Sequence, residues 1–115
     1  MSYKGSCHCG KISFEADGDI DSVIDCNCSI CRRKGHLLWF ISASGFRLLS
    51  GNDEYSSYLF GAQTISHNFC PVCGCSPFSN GSDDKGNKMV AVNVRCIEDI
   101  NLENIETVSY DGRSK

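Results

Sequence analysis

Seven of the nine cysteines fall into three tight groups, Cys7-x-Cys9, Cys26-x-Cys28-x-x-Cys31 and Cys70-x-x-Cys73. Thiols at such spacings bind metal. Four thiolates close a tetrahedral zinc site, whereas three leave one coordination position for water or a substrate. Four plus three sulfurs therefore predict two zinc ions per chain, one structural and one catalytic. Disulfides are the competing use of so many cysteines. The odd total, the close spacings and the lack of a secretory-type leader before the first motif favour metal in a reducing cytoplasm.

Cys70-Pro71-Val72-Cys73-Gly74 has the form of half a zinc knuckle, in which a tight turn aims backbone amides at the sulfurs and the glycine takes up the turn's unusual dihedral angles. Ser6-Cys7-His8-Cys9-Gly10 supplies the other half, stapling the amino-terminal strand to the middle of the chain. A redox dithiol at Cys70 and Cys73 is the alternative, but its usual βαβ surroundings are missing. The sulfurs of Cys26, Cys28 and Cys31 can form one face of a tetrahedron if a strand turns into a helix between them. The free amides of a helix start then stabilise thiolates, and Arg32 and Arg33 offset the surplus negative charge. A fourth protein ligand would close this site too, and Cys75, Cys96, His36 and His67 are the candidates.

The elements that must position these groups read as short strands. Alternation or short runs of strand formers mark 11–16, 22–26, 37–41, 46–49, 55–60, 64–69, 76–78, 89–94 and 106–110, with turn glycines between them and a loop over 79–87. Ile12, Phe14 and Ala16 share one face, as do Val90, Val92 and Val94. Trp39 and Phe40 are read as core or pocket wall, core being the first choice. One helix is expected over 29–34, capped by the Ser29 hydroxyl and ended by Gly35, with a further helical turn near 102–104. The class is mainly β, small sheets clamped by metal.

At 115 residues and 12.6 kDa, 41% hydrophobic and 22% charged, the chain has the composition of one globular domain. A net charge of -3 argues against nucleic acid as a partner. The longest apolar run, 37–41, is far short of the roughly 20 residues that span a bilayer.

Gly5-Ser6-Cys7-His8-Cys9-Gly10, Cys26-Asn27-Cys28-Ser29-Ile30-Cys31-Arg32-Arg33 and Phe69-Cys70-Pro71-Val72-Cys73-Gly74, with the later Asn93-Val94-Arg95-Cys96 and Asp111-Gly112-Arg113, resemble the glutathione-dependent formaldehyde-activating enzyme family, also called the CENP-V/GFA family. The resemblance spans residues 3–113 as a single domain. It implies a β-tent fold of small antiparallel sheets, a structural zinc on Cys7, Cys9, Cys70 and Cys73, and a catalytic zinc on Cys26, Cys28 and Cys31. The activity it implies is that of a carbon-sulfur lyase, forming S-hydroxymethylglutathione from glutathione and formaldehyde. Cys75 departs from the family's usual serine. The expected chemistry is addition of a zinc-bound thiol to a small aldehyde, with Arg32 and Arg33 pairing glutathione carboxylates or balancing the zinc-thiolate charge. The competing expectation is a non-catalytic β-tent binding module or chaperone-like protein.

Overall fold

The computed structural model describes residues 2–52, 54–59, 65–83 and 85–111. Its strands are β1 (Ser2–Ser6), β2 (Ser13–Asp17), β3 (Ser22–Cys26), β4 (Leu38–Ser42), β5 (Phe46–Ser50), β6 (Ser56–Tyr58), β7 (Ser66–Phe69), β8 (Phe78–Ser82), β9 (Lys88–Asn93) and β10 (Glu106–Tyr110). One α-helix, α1 (Ser29–Lys34), follows β3. Short 3-10 turns occupy Ala43–Gly45, Val94–Cys96 and Leu102–Asn104. The mainly-β class with one short helix is the one read from sequence. The proposed ends of strands at 60 and 64, and the late Gly112-Arg113, lie outside the described residues.

The strands form two sheets. One has the order β1-β2-β5 and the other the order β10-β3-β4-β9-β8-β7-β6. All pairings are antiparallel except β3 with β10, which run parallel and set Tyr110 opposite Cys26. The sheets meet through apolar alternation. Phe14 and Ala16 of β2 and Val90 and Val92 of β9 point into a common core with Trp39 and Ile41 of β4. Rings of Phe14, Phe46 and Phe78 stack across it, with centroids 5.4 and 4.8 Å apart. Burying such rings supplies both area and a preferred packing geometry.

The larger sheet has a second face. In β4 the residues alternating with Trp39 and Ile41 are Leu38 and Phe40, and register carries this outward row across the sheet. Phe40 is opposite Ala91, Ala91 opposite Ser79, and Ser79 opposite His67. Trp39 is therefore core, whereas Phe40 is 51% exposed on the other face.

Three local expectations need correction. The stretch 79–82 is strand rather than loop, because pairing with β7 and β9 overrides its weak strand propensity. After the strand, the Asp83 carboxylate accepts from the amides of Lys85 and Asn87, both at 2.9 Å. Val94 leaves the strand for a 3-10 turn whose start is capped by the Asn93 side chain, accepting from the Arg95 amide. The third correction concerns the helix, where Ser29 is the first helical residue and Cys28 the cap. Its end is as expected, with Gly35 left-handed at φ 69° and its amide donating to Cys31.

Candidate metal centres

Cys7 follows β1, and Cys9 sits on the turn into β2. The Cys7 amide donates to the Ile12 carbonyl at 2.9 Å, and the Ile12 amide returns to the Cys7 sulfur at 3.3 Å. The second half of the group is a turn between β7 and β8, closed by the Gly74 amide on the Cys70 carbonyl at 2.8 Å. Gly10 and Gly74 have φ of 84° and 81°. A Cβ at either would meet no atom within 4 Å, so glycine is required by dihedral angle rather than by space.

These turns bring four sulfurs within 4.8 Å of one another. Cys9 Sγ lies 3.6 Å from both Cys7 Sγ and Cys70 Sγ. A tetrahedral zinc with bonds of 2.3 Å separates its sulfurs by about 3.8 Å, so the group fits such an ion. The electrostatics agree. Amides of Cys75 and Cys9 pull the Cys73 thiol down to about 5. The Lys11 amide lowers that of Cys9, but burial and the neighbouring sulfurs push it up to about 11. Four sulfurs this close cannot all ionise together without a cation, and a divalent ion removes the conflict.

The second group forms where β3 becomes α1. Cys26 ends the strand, Cys28 caps the helix with extended backbone, and Cys31 lies in the first turn. The Cys28 amide donates to Cys26 Sγ at 3.4 Å. Burial pushes the Cys28 thiol up, but the Cys31 and Ile30 amides and the adjoining sulfurs outweigh it and leave it lowered. Cys26 and Cys31 are raised, chiefly by burial. The three sulfurs also lie within 4.8 Å of one another, and among the described residues no fourth His, Cys, Asp or Glu donor joins them.

What adjoins these sulfurs is a cavity of about 450 Å³ on the outer face of the larger sheet. Cys26, Cys28 and Cys31 line it together with His36, His67 and Ser79, and its apolar wall includes Ile24, Leu38, Phe40 and Ala91. His36 is 4% exposed, and neither ring nitrogen meets a hydrogen-bonding partner among the described residues. Burial, then the charge of Lys34 and the ring of His67, hold its pKa at about 4. His67 is lowered by burial and by Lys34. His36 is thus a neutral imidazole at pH 7.

The other sequence candidates fall elsewhere. Cys75 and Cys96 line a second depression with Lys34 and Arg95, and His36 borders both this depression and the sulfur cavity. Burial and then the charges of Cys75, Cys7 and Cys73 push the Cys96 thiol up to about 12, which associates it with the four-sulfur group. Arg32 and Arg33 are exposed on α1 and neither lines the sulfur cavity; Arg33 donates to the Ser29 carbonyl at 2.8 Å. Sequence reasoning missed Ser79, Ile65 and Tyr110 as cavity residues. For Tyr110 a signal was available only through its parallel pairing with Cys26.

The family model described as glutathione-dependent formaldehyde-activating enzyme matches residues 2–109. A crystal structure of a Rhodobacter sphaeroides protein superposes with a TM-score of 0.78 at 28% identity, covering 91% of this chain and 99% of that one. Among the described residues no helix is long and apolar enough to cross a membrane.

Proposed function

The chain belongs to the glutathione-dependent formaldehyde-activating enzyme family, and from that premise we propose that it joins a thiol such as glutathione to a small aldehyde such as formaldehyde. The site is that of Cys26, Cys28 and Cys31, and the class is a carbon-sulfur lyase of the S-hydroxymethylglutathione synthase type. One observation carries the reading. Among the described residues, three sulfurs converge without a fourth donor on a cavity that also holds a buried imidazole with both nitrogens unspent. The four-sulfur group of Cys7, Cys9, Cys70 and Cys73, which has its full complement, is read as the structural zinc site.

A zinc ion on Cys26, Cys28 and Cys31 would supply a Lewis-acid position at which a thiol loses its proton near neutral pH. The chain's own residues do the rest. The apolar wall of Ile24, Leu38 and Ala91 lowers the local dielectric beside the sulfurs and strengthens polar interactions there. Addition forms the sulfur-carbon bond as the carbonyl π bond breaks, and the oxygen receives the proton that the thiol gave up. Neutral His36 donates a hydrogen bond to that oxygen as its charge develops, meeting a need that no other described residue meets for its ring. Holding the two reactants together accounts for much of the gain, since thiols add to formaldehyde unaided. Arg32 and Arg33, exposed on α1 directly after Cys31, would pair the two carboxylates of glutathione.

The test is hemithioacetal formation from glutathione and formaldehyde by protein carrying two zinc ions per chain. The expected result is a rate above that of the buffer reaction, lost in Cys28→Ala. No acceleration at full zinc occupancy would overturn the enzymatic reading in favour of a binding module.

A further inference from the structure

The cavity beside the three sulfurs is larger and more apolar than formaldehyde requires. Formaldehyde has two heavy atoms and the reacting CH2–S end of a thiol two more, together on the order of four water volumes, about 120 Å³, in a space of about 450 Å³. Among the described residues no Lys, Arg, Asp or Glu lines it. Its polar groups are the three thiols, two imidazoles, Ser79 and the phenol of Tyr110, whereas Ile24, Leu38, Phe40, Ile65 and Ala91 form an apolar wall. Phe40, Ile65 and Tyr110 are each about half exposed, at 51%, 47% and 46%, although they line this space. Large apolar side chains held half open around a cavity are unusual for a site whose ligand is a small polar molecule.

We infer that the aldehyde this cavity takes carries an apolar body, an aliphatic chain of about four to seven carbons or a single aromatic ring. The inference rests on the reading of the three-sulfur group as the place of thiol addition, and it names the carbonyl partner of that reaction. The aldehyde carbon lies toward the sulfurs and His36, and its chain lies along the row Leu38, Phe40 and Ala91, which belong to neighbouring strands β4 and β9. The balance is that of simple addition. A sulfur-carbon bond forms, the carbonyl π bond breaks, the thiol proton ends on oxygen, and nothing is oxidised or reduced. Each methylene moved from water onto such a wall raises kcat/KM about fourfold.

Two measurements on the zinc-loaded protein test this. With glutathione fixed, kcat/KM is compared for formaldehyde, butanal, hexanal and benzaldehyde, each corrected for its buffer rate. With formaldehyde fixed, mercaptoethanol is compared with hexanethiol. The expected result is a rise of at least tenfold from formaldehyde to hexanal, with a flat thiol series. In Ala91→Leu and in Phe40→Ala, the hexanal-to-formaldehyde ratio falls at least threefold; the second substitution is at a half-exposed position and guards against loss of folding. A flat aldehyde series, or a preference that follows the thiol's chain instead, overturns the inference and leaves the proposed reaction intact.

Unreactive alcohols give a readout independent of turnover. Hexanol should shift the NMR methyl signals of Ile24, Leu38 and Ala91 at concentrations where methanol does not, and absence of such shifts overturns the inference. Alcohol shifts that grow with chain length while no aldehyde is turned over would overturn the proposed reaction and leave the cavity's apolar ligand class standing.

Discussion

The four-sulfur and three-sulfur groups use the same atom in different surroundings. Around Cys7, Cys9, Cys70 and Cys73 the neighbours are backbone amides and turn glycines, and the sulfurs complete one another's tetrahedron. Around Cys26, Cys28 and Cys31 the set stops at three, and the space where a fourth ligand would stand opens on a cavity with a neutral imidazole. Both groups form where β-structure turns, yet the first joins segments some sixty residues apart and the second is local to one junction. On the reading proposed above, the long-range group holds the fold, while the local one would lose its ion and leave the sheets paired.

The largest expected effect would break this contrast if it failed. Cys73→Ser should unfold the protein, because a structural zinc contributes on the order of 10 kcal/mol, comparable with the whole stability of a small domain. Cys28→Ala should retain a cooperative thermal transition. Circular dichroism melts of the two variants, with zinc determined on each, make the comparison; equal loss of structure would mean that both groups are structural.

Replacement of His36 should separate function from stability in the opposite sense. A buried imidazole with no partner among the described residues contributes little to folding, so His36→Phe should melt at or slightly above the parent temperature. Its kcat should fall about a hundredfold if the ring donates to the developing alkoxide. Loss of stability with unchanged kcat would place the ring in the core instead.

A smaller effect sharpens the account of the knuckle. At Gly74, φ of 81° in open space means that alanine brings a dihedral penalty and no clash. Gly74→Ala should therefore destabilise by about 1–2 kcal/mol, seen as a lower melting temperature, and weaken zinc retention against a chelator at the four-sulfur group alone.

The smallest effect lies on the sheet that carries Cys7. Hydrogen bonds from Arg47 and from Ser2 hold the Asp17 carboxyl down at about 2 against an ordinary 3.8. A lowered carboxyl stabilises the fold above its unfolded pKa, and that contribution is lost as pH falls through the folded value. The melting-temperature gap between the parent and Asp17→Asn should hold at pH 5 and close between about pH 4 and pH 2. The pair is exposed, so the gap is small and shrinks in salt. A gap unchanged at pH 2 would show that the carboxylate charge is not its source.

Much of this was legible in the chain because it is local. The spacing of Cys70 and Cys73 with Gly74 after them specifies a turn by its own dihedral angles, and β3 and α1 follow from short-range signals around Cys26 and Gly35. Alternation likewise placed Phe14 with Ala16, and Val90 with Val92, on one face each, since alternating large apolar residues mark the face that packs into the core. The run Leu37-Leu38-Trp39-Phe40-Ile41 carries no such record, being apolar on both faces. Only the pairing of β4 with β9 decided that Trp39 fills the core while Phe40 walls a cavity. The same holds for Ser79, read as loop, and for His36 and His67, read as possible ligands. Their meeting beside Cys26, Cys28 and Cys31 depends on strand register, and a shift of one residue would turn Ser79 and His67 to the opposite face. Ligand type and spacing are properties of the chain, whereas what surrounds a ligand is set by residues distant in sequence, which only the folded sheet brings together.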